Sequence, residues 1–136
     1  MNDVVIVGGK TLHPDMKAML DTRAASGPTV TIEEQRDAWT DYSQALSTPH
    51  PAEMKVEDRV LSLDHGKVTV RVYTPPSASG DAPCVIYSHG CRFMKGDLDS
   101  SDKFAWGAAQ DCGAVVVSVD YRLAPEHPLP AAFNDV

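Results

Sequence analysis

Apolar residues in this chain follow three successive patterns. Between residues 14 and 46 they recur at helical spacing. Pro14 suits a first helical position, and Met16, Met19 and Leu20 share one face. Ala24-Ala25-Ser26-Gly27-Pro28 ends that helix. Thr31-Ile32-Glu33-Glu34 opens another as a capping box: Thr31 accepts from a first-turn N–H while Glu34 reaches back. Ala38, Trp39, Tyr42 and Leu46 make its packing stripe. From Glu57 the period falls to two. Val60, Leu61 and Leu63 belong to one strand, and Asp64-His65-Gly66-Lys67 is a turn. Val68, Val70 and Val72 then alternate with Thr69 and Arg71. Past the Pro75–Gly80 loop the apolar runs become continuous. Cys84-Val85-Ile86-Tyr87 reads as a strand buried on both faces. A helix over Ser101–Asp111 separates it from the strand of Ala114–Val119. Strand, helix and strand predict a right-handed βαβ unit in an α/β fold.

The chain of 136 residues predicts one domain's worth of structure. A net charge of −7 argues against nucleic acid or an anionic membrane as partner. No apolar run reaches the ~20 residues that span a bilayer, and Met1-Asn2-Asp3-Val4 lacks a basic signal-peptide start. The odd set Cys84, Cys91 and Cys112 reads as buried thiols in a reducing cytoplasm. A metal held by Cys84, His89 and Cys91 would lack a second ligand pair of the usual spacing. Residues 4–9, Val-Val-Ile-Val-Gly-Gly, mimic a nucleotide-binding strand and turn. Val4 stands where that motif needs its first glycine, so a short extended segment is expected.

Two stretches carry chemistry. One is His89-Gly90-Cys91-Arg92-Phe93 with Gly96-Asp97; the other is Asp120-Tyr121-Arg122-Leu123-Ala124-Pro125-Glu126-His127-Pro128-Leu129-Pro130-Ala131-Ala132. Together they resemble the alpha/beta-hydrolase carboxylesterases and lipases of the hormone-sensitive-lipase group. That family carries a strand, His-Gly-Gly-Gly, a Phe and a following Gly-Asp, then a Pro-rich motif ending Pro-Phe-Pro-Ala-Ala. The resemblance implies an N-terminal helical cap segment over 1–52 and an incomplete alpha/beta-hydrolase core over 53–136. It implies an oxyanion hole made by the N–H groups of Gly90 and Cys91, with His89 bracing the loop. Arg92, Asp120, Tyr121, Arg122, Glu126 and His127 would support it. Cys91 and Arg92 replace two family glycines, so side chains occupy a tight loop that calls for φ > 0.

The family nucleophile is a Ser in Gly-x-Ser-x-Gly, followed by an acid and a His. No Ser of this chain has glycines two residues to either side. The resemblance therefore covers the portion before the nucleophile elbow. The strand of 84–88 would then form a sheet edge with unpaired backbone groups. Three readings follow: a hydrolase fragment inactive alone, one half of a split esterase completed by a second chain, or a non-catalytic binding module. The implied partners are a small acyl ester, and a complementing chain or a second copy at strand 84–88. No cofactor is implied. A Cys91–His89 dyad would need a third group to orient its base.

Overall fold

The computed structural model describes residues 6–25 and 27–136. Strands β1 (Ile6–Val7) and β2 (Lys10–Thr11) form a small antiparallel pair around a Gly8-Gly9 turn. Val4 and Val5 of the expected extended segment lie outside the described residues. Helix α1 (Pro14–Ala25) begins at the proline, and it buries no residue. Met16 and Leu20 are exposed, so the apolar face expected of them is not a core face. Helix α2 (Ile32–Ala45) carries both halves of its capping box. The Glu34 N–H donates to Thr31 Oγ1 at 3.1 Å, and the Thr31 N–H donates to Glu34 Oε2 at 3.0 Å.

The sheet follows. Strands β3 (Lys55–Leu63) and β4 (Gly66–Thr74) form a hairpin with Leu63 opposite Gly66, leaving a two-residue turn of Asp64 and His65. Two-residue hairpin turns demand unusual dihedrals, and Gly66 takes φ 141° just after this one. Strand β5 (Cys84–Ser88), helix α3 (Asp102–Cys112) and strand β6 (Val115–Asp120) are the βαβ unit. A short helix, α4 (Ala131–Asp135), comes last. The strand order is β3-β4-β6-β5, with β5 parallel to β6 and the other pairs antiparallel. Gly113 ends α3 in the left-handed region at φ 62°, and its N–H returns to the Ala109 carbonyl. That turn lets the chain re-enter the sheet within two residues.

Side chains of β4 and β6 alternate between two apolar clusters. Tyr73 and Val116 pack with Met54, Ala105 and Ala109 beneath α3. Val68, Val70, Val119 and Tyr121 pack with Ala132 of α4. Each fully buried valine contributes about 1.5–3 kcal/mol over its exposed state. Arg71, on the α3 face, ties three segments together. It donates twice to Asp58 of β3, at 2.6 and 3.0 Å, and once to Asp99 at 2.8 Å, before α3 begins.

Two expectations need correction. β5 is not buried on both faces: Val85 is 43% and Ile86 60% exposed, and among the described residues β6 is its only strand neighbour. The cysteines are not buried thiols either. Cys84 and Cys112 are exposed and Cys91 is half-buried. Cys84 shares the open edge of β5, and Cys112 ends α3 beside solvent.

Candidate active site

The segment joining β5 to α3 carries the first motif. It leaves the C-terminal end of a parallel strand, where open α/β sheets bind ligands. Cys91, Arg92 and Phe93 all take left-handed dihedrals, at φ 78°, 61° and 61°. For residues with a Cβ each such conformation costs about 1–2 kcal/mol. Restraint from outside the loop must therefore hold it. Among the described residues, no acceptor pairs with the N–H of Gly90 or Cys91.

His89 anchors the loop's start. It is buried and stacks on Tyr121 with ring centroids 4.3 Å apart. The Tyr121 hydroxyl donates to the His89 carbonyl at 2.6 Å. Nδ1 of His89 lies 3.1 Å from both the Gly90 carbonyl and the Tyr121 oxygen. Two acceptors there favour the tautomer protonated at Nδ1. Nε2 is then a buried lone pair, and among the described residues it has no hydrogen-bond partner. Gly96 closes over this ring: at φ +98°, a Cβ on it would fall 2.4 Å from His89 Nδ1.

The Pro-rich motif holds the loop's middle. The Ala124 N–H donates to the Phe93 carbonyl at 2.8 Å. Arg36, from α2, donates to the Met94 carbonyl at 2.9 Å and the Ala124 carbonyl at 2.9 Å. It also grips Glu126 with two further bonds, at 2.9 and 2.7 Å. That guanidinium holds the Glu126 carboxyl down to about 2. Asp97 fixes the loop's far end. Its carboxylate accepts from the Ser100 N–H at 2.6 Å and from Thr40 of α2 at 2.8 Å. Burial alone would raise the Asp97 carboxyl, but those donors outweigh it and leave it lowered.

The other motif residues divide. Asp120, Tyr121, Glu126 and His127 line a concavity with Arg36, Gly96 and Asp97, of about 480 Å³. Lost hydration pushes the Asp120 carboxyl up, although the residue keeps contact with water. Arg122 borders the same concavity, but its hydrogen bonds run to α4. It meets Asp135 with its N–H at 2.9 Å and with its guanidinium at 2.8 Å. Asp135 also pairs with His65 Nε2 at 2.9 Å, and Arg122 draws its carboxyl down to about 2. Arg92 is exposed.

Neither ring nitrogen of His89 is hydrogen-bonded to the Cys91 sulfur, and burial raises the Cys91 thiol. The pair is not arranged as a nucleophile and base. Among the described residues, no three His, Cys, Asp or Glu side chains gather as metal ligands would, and no helix is long and apolar enough to cross a membrane.

Arg36, Thr40, Gly96 and Asp97 hold this loop without having been singled out from the sequence as site residues. Gly96-Asp97 was visible as part of the motif. Arg36 and Thr40 were legible only as polar residues on a helix, because their partners lie 57 to 90 residues away.

A parallel βαβ unit with a constrained loop after its first strand, beside a Pro-rich turn, defines an α/β-hydrolase core. The alpha/beta hydrolase fold family matches residues 85–136. Esterase LipI of Mycobacterium tuberculosis is 47% identical over 88 residues, 63% of this chain and 27% of the relative. Carboxylesterase NlhH of the same species is 39% identical over 132 residues, 91% of this chain and 39% of the relative. Among solved structures, the Pyrobaculum calidifontis esterase has a TM-score of 0.72 at 37% identity, covering 80% of this chain and 36% of that one. An ester hydrolase from the metagenome of Lake Arreo has a TM-score of 0.78 at 30% identity, covering 91% and 42%. The chain belongs to the alpha/beta-hydrolase carboxylesterases of the hormone-sensitive-lipase family, and it spans well under half the length of these relatives.

Proposed function

We propose that this chain supplies the charge-stabilising part of a carboxylic-ester hydrolase site. Attack on an ester carbonyl moves negative charge onto its oxygen. Two rigid N–H donors aimed at that oxygen lower the barrier, and losing one such donor typically costs about 10²–10³ in rate. Gly90 and Cys91 are the donors. The observation that carries this reading is that, among the described residues, the two amides have no acceptor and stand at the head of a left-handed run held from outside. Cys91 and Arg92 stand where the family has glycines, but a side chain leaves its own backbone N–H in place. His89 and Tyr121 brace the loop, and the same reading divides the chain into an N-terminal helical cap segment, 1–52, and an incomplete alpha/beta-hydrolase core, 53–136.

Within residues 1–136 no serine has the glycines of a nucleophile elbow. These residues alone should therefore leave p-nitrophenyl butyrate intact, at the rate of buffer and a heat-killed control. Turnover above those controls that disappears in Cys91→Ala would overturn this reading in favour of a thiol nucleophile. A second reading is supported by the open edge of β5, with Val85 and Ile86 exposed: strand addition there by a further polypeptide, which could carry the serine, acid and histidine.

A further inference from the structure

We infer that helix α2 is the latch of the constrained loop, with Arg36 as its positioning residue, so that the loop keeps its shape only while α2 is docked. The loop's service as an oxyanion hole rests on the function proposed above; the latch itself rests on geometry alone. Among the described residues, the hydrogen bonds joining α2 to the body of the chain come from two side chains, Arg36 and Thr40. They are four residues apart and so lie on one helix face. Arg36 takes the Met94 carbonyl, directly after the left-handed run, and Thr40 takes Asp97 three residues further on. One helix face therefore grips the loop at two points.

The division of Arg36's donors explains why an arginine stands there. Its Nε serves Met94, one terminal nitrogen serves Ala124, and both terminal nitrogens serve Glu126. Loop, Pro-rich turn and helix meet on one planar cation. A lysine offers a single ammonium and has no fork to span these acceptors. Without the guanidinium, the Met94 and Ala124 carbonyls lose charge-assisted donors and Glu126 is left unpaired. The strain at Cys91, Arg92 and Phe93 then has less to oppose it.

Cys91 reports on this directly, because its thiol is half-buried in the folded loop. The test uses the full chain with Cys84→Ser and Cys112→Ser, so that Cys91 is the one thiol. Its rate of reaction with dithiobis-nitrobenzoate is followed under native conditions. Arg36→Ala should raise the rate by about tenfold or more, since hydrogen bonds to charged groups are the stronger kind. Arg36→Lys should fall between Arg36→Ala and the parent. Thr40→Val should raise the rate by less than Arg36→Ala, because it removes one bond to the Asp97 carboxylate where Arg36→Ala removes four. Val68→Ala, in the cluster on the α4 side, should leave it unchanged although it lowers global stability.

Equal rates for Arg36→Ala and the parent would overturn the latch. So would an equal rise in Val68→Ala, which would make the effect one of general loosening. A parent thiol that already reacts like a free cysteine would also overturn it. If circular dichroism shows Arg36→Ala unfolded, Arg36→Lys and Glu126→Gln decide: both must speed the reaction while staying folded. None of these readings depends on esterase activity, so failure of the latch and failure of the proposed function are separable.

Discussion

Cys91, Arg92 and Phe93 occupy dihedrals that their own side chains disfavour, and the surrounding contacts are what keep them there. Gly96 is the complementary case, a residue whose missing side chain makes room for the His89 ring. A Cβ at Gly96 would strike Nδ1 and meet its own positive φ as well. Gly96→Ala should therefore destabilise the chain by about 1–3 kcal/mol, read as a lower urea midpoint with an unchanged slope. An unchanged midpoint would mean that the ring moves aside freely. The His89–Tyr121 stack shows how the two motifs act on each other. Tyr121 spends its hydroxyl proton on the His89 carbonyl and its ring on the His89 imidazole. A phenylalanine would keep the second contact and lose the first.

At the scale of elements, β5 is the edge strand whose exposure leads to a prediction about behaviour in solution. It ends the sheet with an open ladder on one side, and Ile86 is 60% exposed on it. Flat apolar edges invite further strands. The purified chain should show an apparent mass that rises with concentration in light scattering, and Ile86→Lys should return it toward the monomer. A parent that stays monomeric at every concentration would sink this expectation. The elements themselves were largely legible in the sequence. Pro14 and the Thr31–Glu34 box mark two helix starts by local hydrogen-bond logic, and the Val68–Val72 alternation marks a strand by side-chain period. What could not be read was the environment around each element. A continuous run such as Cys84–Tyr87 predicts burial on two faces only if strands and helices flank it. Met16 and Leu20 recur correctly for a helix, yet nothing in their spacing says whether another surface meets them. The site divides the same way. His89, Gly90 and Tyr121 were readable as motif members. Arg36 was not, since its meaning depends on a glutamate 90 residues further along.

For the molecule as a whole, carboxylates held by arginines set the acid limit. Glu126 beside Arg36 and Asp135 beside Arg122 are both held down to about 2. A carboxyl lowered in the folded state contributes stability above its unfolded pKa and loses it as pH falls through the folded value. The ordinary values here are 4.5 for Glu126 and 3.8 for Asp135. Stability from these pairs should thus be level above about pH 5 and fall toward about pH 2, with Asp135 carrying the larger share because the Glu126 side chain is 45% exposed and screened by water. Denaturation midpoints measured across that range would show it. Asp135→Asn should flatten part of the slope, because its buried carboxylate joins Arg122, His65 and α4. A slope identical in the variant would assign the acid loss elsewhere.

The left-handed run from Cys91 to Phe93 has one more consequence, for variation over time. A loop whose course is dictated by its neighbours does not need a particular sequence to keep its amides in place. Once Tyr121, Ala124 and Arg36 hold the backbone, the side chains at 91 and 92 are free to differ without redirecting the N–H groups of Gly90 and Cys91. Glycines there would be a convenience of conformation, and a thiol and a guanidinium can take their places. Under the function proposed above, the same scaffold can thus try new chemical surfaces beside the reacting centre while the geometry of charge stabilisation stays constant.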